Sequence, residues 1–517
     1  MELLHPYSSL HTFMLGILGK WKGRMKRRFP RLAAKASYVR KRKKRFLALF
    51  LTVAHVLGAL SSVQAIMTAR TAQGATAWVV ALNSIPVLSV PAYWVFGRTK
   101  FEGYVSARRG SDGRSSAVVS TLREEFNAAR PPAPSSGNGE ARILERLTKL
   151  PSTSGNEVQL LRNSEQIFPS IFEGIDAAKS YILVQFYIVR DDDLGRQIKD
   201  RLVAAAGRGV GVHFLYDEIG SYGLPDAYRD ELQRASIEIL PFNSRKGWTN
   251  RFQVNFRNHR KVVIVDGRVA WTGGANIGDE YSGGDKDLSP WHDTMVRVQG
   301  PAVQAIQLPF FEDWLWSSDK ELKLEWRPAA VSAGTGQTVQ CIPSGPADSL
   351  ETCTLYFLSL VNSARSRLWI ATPYFVPDEQ IVSALELAAL RGVEVRILVT
   401  DKCDSPLVDL SGWAYVERLG RVGVRFYRHC EGFMHQKVTL VDSDIATVGS
   451  ANIDNRSFRL NFELTVQVED RGFAAQVAEM FEKDFKKSRV VGFKEPTERG
   501  TQFLMKVRAA NLLSPIQ

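Results

Sequence analysis

A chain of 517 residues, 44% of them apolar, is too long for one ordinary domain and carries enough hydrophobic material for a substantial core plus a membrane segment. The formal net charge of +13 would suit a nucleic-acid binder if it were spread over the body, but residues 1–45 hold fourteen Lys/Arg and one acid, Glu2, which accounts for the whole surplus. The remainder is close to neutral, which argues against a body lined with phosphate-backbone contacts and leaves a basic arm on a neutral body, the pattern of a protein held at a charged surface.

The arm, residues 1–45, places Leu10, Phe13, Met14, Ile17, Leu18 and Trp21 at helical spacing ahead of a cationic run that begins at Lys20, Lys22 and Arg24. Two readings fit equally: a helix lying in the membrane interface, or an irregular basic tail that only fixes orientation. Residues 46–67 then form an uncharged, mostly apolar stretch about as long as a bilayer-spanning helix requires, and 75–96 form a second. The short connector carries one charge, Arg70, so 46–97 reads as a two-helix transmembrane hairpin, its second limb kinked by Pro86 and Pro91. Lys/Arg crowd both ends, at 40–45 and again at Arg98, Lys100, Arg108 and Arg109, which puts both termini on the cytoplasmic side. The arm is too long for a cleaved signal peptide and no small-residue cleavage site follows the first span. Residues 98–157 read as a linker, because Pro131, Pro132 and Pro134 stand in a Ser/Gly-rich run ending at Gly139.

From Val158 the chain repeats itself. Ile175-Asp176-Ala177-Ala178-Lys179-Ser180 leads into an apolar run, a helix-like segment ending at Arg208-Gly209-Val210, and a strand at 212–216. Val361-Asn362-Ser363-Ala364-Arg365-Ser366 leads into the same succession, with Arg391-Gly392-Val393 and a strand at 395–400. Short β-rich runs alternating with amphipathic helices predict an α/β body of two duplicated lobes, 158–335 and 336–517, each with a mixed sheet flanked by helices.

Each half delivers the same polar pattern. His259-Arg260-Lys261 is followed by Asp266 and, six residues on, by Gly273-Gly274-Ala275-Asn276; His435-Gln436-Lys437 is followed by Asp442 and then Gly449-Ser450-Ala451-Asn452. One such match is a moderate signal, whereas two with the same trailer exclude chance. Histidine and lysine two apart on a strand emerge on one face. The glycines are expected to let backbone approach substrate closely, and the asparagines to donate an amide N–H to the same centre. One imidazole, ammonium and amide fit one phosphate, and two sets from a duplication would close on a phosphodiester from opposite sides.

This pair resembles the twin motif of the phospholipase D superfamily, over roughly residues 158–490. The run 273–281, Pro290-Trp291-His292-Asp293-Thr294, Thr372-Pro373-Tyr374-Phe375-Val376-Pro377-Asp378, Leu512-Leu513-Ser514-Pro515 and the preceding hairpin are similar to bacterial cardiolipin synthases within it. The basic arm is longer than that family's pattern. The resemblance implies transfer of a phosphatidyl group from one phosphatidylglycerol to another, giving cardiolipin and glycerol through a phosphatidyl-histidine; hydrolysis and a phosphatidylserine synthase-like transfer are the alternatives. It makes His259 the nucleophile and His435 the proton donor and acceptor, although nothing in the residues prevents the reverse. Lys261 and Lys437 would hold the non-bridging oxygens, with Asn276 and Asn452 adding hydrogen bonds. Aligned strands suggest that Asp293 orients His259 and Glu463 orients His435. Asp266 and Asp442 complete the catalytic motif but are expected to serve structure. Tyr187 and Tyr374 are candidates for the pocket rim or ordinary half-buried tyrosines.

No metal or other cofactor is expected, because no acids cluster at the motifs and the adjacent lysines disfavour a cation. Cys341, Cys353, Cys403 and Cys430 show no ligand spacing and read as reduced thiols of a cytosolic domain. His5, His11, His55, His213, His292 and His429 read as surface or core residues. The expected partners are phosphatidylglycerol and anionic membrane lipids, without nucleic acid, and the expected location is the bacterial inner membrane, multi-pass, with the catalytic body in the cytoplasm. The sequence carries no signal of oligomeric state.

Overall fold

A computed structural model describes residues 30–97, 101, 104, 112–129, 139–242, 255–328, 331 and 336–517, and the chain divides into two units, Met1–Arg98 and Thr99–Gln517. The periodic segment at 10–21 lies outside the described residues, as do most of the prolines of the linker.

In the first unit helix α1 (Pro30–Thr68) runs without a break from the basic arm into the apolar stretch. Its portion Lys41–Thr68 is, among the described residues, the one helix long and apolar enough to cross a membrane. Apolar side chains along it, Phe46, Leu60, Val63 and Met67 among them, stay exposed, as a lipid-facing surface requires. The second stretch is not one continuous helix. It breaks at Ile85 into α2 (Ala72–Ser84) and α3 (Pro86–Phe96), because Pro86 lacks an N–H and drives the residue before it out of the helical region. Both short helices pack on α1. Gly58 permits this, since a Cβ there would lie 2.3 Å from the Leu82 carbonyl oxygen. Asn83 Nδ2 donates to Ser62 Oγ (2.8 Å) and Trp94 Nε1 to Ser61 Oγ (3.3 Å), polar contacts of the kind that join helices in lipid.

The second unit is built on one continuous sheet. Lobe 1 supplies β1 (Thr153–Arg162), β2 (Tyr181–Phe186), β3 (Gly211–Asp217), β4 (Glu238–Phe242), β5 (Val262–Val265), β6 (Val269–Gly273) and β7 (Thr294–Gln299). Lobe 2 repeats them as β8 (Gln337–Ser344), β9 (Arg367–Ala371), β10 (Glu394–Thr400), β11 (Arg425–His429), β12 (Val438–Val441), β13 (Ile445–Gly449) and β14 (Asn461–Glu469), and adds β15 (Ser488–Val491). The order is β4-β3-β2-β5-β6-β7-β1-β8-β14-β13-β12-β9-β10-β11-β15, so each lobe reads outward from its first strand in the same sequence. Strands β2-β3-β4 and β9-β10-β11 are parallel and the rest antiparallel, the mixed sheets expected. The lobes join where β1 meets β8 antiparallel across an irregular register.

Both faces of the sheet are covered, which explains continuous apolar strands. Ile182 and Val184 of β2 face a core built mainly from lobe 1, with Ile171 and Phe214, which Phe433 of lobe 2 enters; Ile370 and Ile397 face the corresponding core of lobe 2. Leu183, on the opposite face, joins a core shared by both lobes with Phe310, Leu440, Val448 and Val477. Much of the stretch expected as a linker belongs to the body. Helix α4 (Asp112–Ala128) sends Leu122 and Phe126 into the shared core, and α5 (Gly139–Thr148) packs Leu144 and Leu147 against lobe 2. Phe101 and Tyr104 enter an aromatic cluster with Phe242, Phe256, Trp316 and Phe462.

Candidate active site

Both motif histidines stand just before a strand of the sheet, and just after a two-residue strand that pairs with the opposite lobe. Arg257–Asn258 runs parallel to Asn461–Phe462, and Phe433–Met434 runs parallel to Trp291–His292. The His259 N–H then donates to the Phe462 carbonyl (2.9 Å) and the His435 N–H to the His292 carbonyl (2.7 Å). In each case the residue after the acceptor is a carboxylate that takes the imidazole Nδ1. His259 Nδ1 lies 3.0 Å from both Glu463 oxygens, and His435 Nδ1 lies 2.7 Å from Asp293 Oδ2. The sequence alignment paired each carboxylate with the histidine of its own half; the structure crosses them, Glu463 with His259 and Asp293 with His435, because each histidine is docked on the other lobe. Holding Nδ1–H on a carboxylate leaves Nε2 as the reacting nitrogen.

The lysines follow at the next position on the same face. Lys261 and Lys437 are buried, and each Nζ donates to the carbonyl of its own histidine. These groups share one field. Burial pushes His259 down to about 4, helped by both lysines and opposed by Glu463. Burial pushes His435 down to about 3, with Lys437 and Lys261 adding to it against the pull of Asp293. Lys437 is lowered to about 8 by burial against both Asp293 and Glu463, and Lys261 falls well below its ordinary value for the same reason. Burial alone would raise the Glu463 carboxyl, but His259, Lys261 and the Ser450 hydroxyl hold it below the usual range. A buried centre with two ammonium groups and two imidazoles, facing inward from both lobes, is arranged to receive an anion.

The other motif residues divide. Asp266 and Asp442 are distant from this chemistry. Each sits at positive φ in a hairpin turn; Asp266 accepts the N–H groups of Lys179, Ser180 and Tyr181, and Asp442 those of Arg365, Ser366 and Arg367. They pin the start of the neighbouring parallel strand. Asn276 gives its amide N–H to the Tyr281 hydroxyl (2.6 Å) and takes the Ile188 N–H (3.1 Å), and Asn452 hydrogen-bonds toward the buried Asp454. The glycine before Ala275 makes room for the carboxylate and not for substrate: a Cβ on Gly274 would lie 2.0 Å from Asp293 Oδ1. In the second half Ser450 occupies that place and donates its hydroxyl to Glu463, a difference visible in the two trailers.

Tyr187 stands edge-on to His259 with 5.0 Å between ring centres. Its counterpart Tyr374 donates its hydroxyl to Asp404 (2.7 Å), while Trp291, Phe433 and Tyr281 surround His435 at 5.2, 5.6 and 5.9 Å. Beneath the site the fully buried Asp313 accepts from Arg260 Nη1 (2.7 Å), Asn258 Nδ2 (2.7 Å), Gln185 Nε2 (2.7 Å) and the Tyr104 hydroxyl (2.9 Å). Arg260 in turn donates Nε to the Glu463 carbonyl (3.1 Å). No spacing in the sequence marked Asp313.

Of the remaining histidines, His292 and His429 contact each other at 4.8 Å between ring centres, and His213 packs on Trp314; His5 and His11 lie outside the described residues. Cys341 and Cys353 are buried free thiols, and Cys403 and Cys430 are free as well. Among the described residues no three of His, Cys, Asp and Glu converge as a metal site would require.

Comparison with known proteins identifies the family. Residues 171–314 and 357–485 match the family described as Cardiolipin synthase, PLD-like domain, once in each lobe. The chain is 43% identical over 475 residues to Cardiolipin synthase A of Pseudomonas fluorescens (strain SBW25), covering 91% of this chain and 98% of that protein. It is 44% identical over 478 residues to Cardiolipin synthase A of Pseudomonas aeruginosa (strain UCBPP-PA14), covering 91% and 96%. Among solved structures, the phosphatidylserine synthase of Haemophilus influenzae Rd KW20 aligns over 74% of this chain and 100% of its own, with TM-score 0.56 and 17% identity, a likeness of fold. With two matched lobes, both motifs intact and relatives aligned almost end to end, the chain belongs to the bacterial cardiolipin synthases of the phospholipase D superfamily and is a phosphatidyltransferase.

Proposed function

We propose that the enzyme moves a phosphatidyl group from one phosphatidylglycerol to the hydroxyl of another, releasing glycerol, at the cytoplasmic face of the bacterial inner membrane. The observation that carries the reading is the crossed pair of imidazoles, each fixed at Nδ1 by the opposite lobe's carboxylate and flanked by a buried lysine. Burial favours neutral imidazoles, which suits a nucleophile. A phosphodiester anion entering between them restores a proton to one. Nε2 of the other, His259 by the family resemblance, attacks phosphorus; the P–O bond to glycerol breaks and the protonated Nε2 of His435 gives its proton to the departing oxygen. His435 then takes the proton from the acceptor's hydroxyl as that oxygen attacks phosphorus and the P–N bond breaks. Lys261 and Lys437 hold the non-bridging oxygens as charge gathers on them. The Lys/Arg clusters flanking 46–97 orient the N-terminal unit with both ends in the cytoplasm.

Purified enzyme given phosphatidylglycerol alone should yield cardiolipin and glycerol in equal amounts. Phosphatidic acid as the main product would make it a hydrolase, in which water takes the acceptor's place, and overturn this reading. The alkaline limb gives a second check. Lys437, lowered to about 8, is charged below that pH and neutral above it, so kcat/KM should fall as pH rises through about 8, where an ordinary lysine would hold its charge to about 10. Lys437→Arg should remove that limb while lowering the plateau; an unchanged limb would assign it to another group.

A further inference from the structure

Two arginines gather near the contact between Tyr187 and His259. Arg456, in helix α6 (Asn455–Arg459), donates to the Asn255 carbonyl (2.9 Å), the Asn255 side-chain oxygen (3.1 Å) and the Ile516 carbonyl (3.4 Å). Arg257 donates to the Phe256 carbonyl (2.8 Å) and to Tyr187, whose ring touches His259. Neither forms an ion pair with another described residue. Asp217 acts on both arginines and Asp454 on Arg456, in each case without forming an ion pair, and the two carboxylates are engaged elsewhere: Asp217 accepts the N–H groups of Ile219, Gly220 and Asn258, and Asp454 that of Ser457. The two guanidiniums also repel each other; burial and the charge of Arg257 together lower Arg456. At hydrogen-bond distance the two like charges meet only neutral acceptors, with Asp217 and Asp454 attracting them from farther away, so an anion placed between them would be bound favourably.

The duplication supplies a control. By the motif alignment Phe433 stands where Arg257 stands and Glu280 where Arg456 stands. On that side Phe433 packs on the His435 ring and Glu280 pairs with Arg190 at 3.5 Å. The catalytic groups are therefore twofold, while the charge around them is one-sided. A reaction between two phospholipids breaks the symmetry in this way: one phosphate sits at the centre and the other arrives a glycerol's length away. Without its own countercharge, the second anion would be repelled from a buried site.

We propose that Arg257 and Arg456 bind the phosphate of the second, acceptor phosphatidylglycerol, an inference that rests on the transfer reading above. A neutral acceptor would not need them. The test compares two reactions of the same enzyme in mixed micelles: cardiolipin formation, and exchange of labelled free glycerol into phosphatidylglycerol, which uses the donor position and an acceptor without phosphate. Arg257→Gln should lower cardiolipin formation at least tenfold and raise the half-saturating phosphatidylglycerol concentration, while exchange falls less than threefold; Arg257→Lys should recover part of the loss. Arg456→Gln, which also gives up the bonds to Asn255 and Ile516, should show the same split if its melting temperature matches the wild type. Equal loss of both reactions in Arg257→Gln, or unchanged cardiolipin formation, would overturn the proposal. A wild-type enzyme that performs neither reaction would instead overturn the transfer reading on which it rests.

Discussion

Replacing His259 by alanine is expected to reduce cardiolipin formation about 10⁴-fold, His435→Ala by a similar factor, and the double variant by little more, because residues that act as one unit do not add. The two single variants should differ in what they trap. If His259 is the nucleophile, His435→Ala still forms the phosphatidyl-histidine from labelled phosphatidylglycerol but cannot resolve it, and label stays on the protein; label retained by His259→Ala instead would exchange the roles. The crossed carboxylates make a further demand. Glu463→Gln should move the imidazole nitrogen resonances of His259 and leave those of His435, with Asp293→Asn doing the opposite. A single-histidine variant within tenfold of wild type would defeat the two-imidazole mechanism.

The largest expected loss of stability is at Asp313. Removing one partner of a buried ion pair strands the other charge and costs about 3–5 kcal/mol. Asp313→Ala would leave Arg260 without its carboxylate and strip an acceptor from Asn258, Gln185 and Tyr104 together. Denaturant unfolding of the body should show a clearly lowered midpoint, and activity should fall as well, since Arg260 also holds the backbone of Glu463. Asp313→Asn, which keeps an acceptor, should lie between. A midpoint within error of wild type would mean that the charge is compensated elsewhere.

The duplication was legible because strand, helix and motif recur in register, and the i, i+2 spacing of His and Lys told correctly that both reach one face. The carboxylate pairing was not. It depends on Arg257–Asn258 docking on Asn461–Phe462, a contact two residues long between segments some 200 positions apart, which leaves no period or composition to read. The same limit hid the use of Gly274, whose missing side chain serves Asp293 and not substrate. At the N-terminus hydropathy found the apolar stretches, but it sums over Ile85 and Pro86, where backbone geometry ends one helix and begins another. Leu122 and Phe126 escaped notice because α4 buries only part of a mostly polar surface.

The seam between β1 and β8 has a dynamic consequence. With the sheet unbroken across it, and each imidazole clasped by the far half, swinging the halves apart would pull Glu463 off His259 and Asp293 off His435 in the same motion. The enzyme therefore has no open, competent state reached by a hinge.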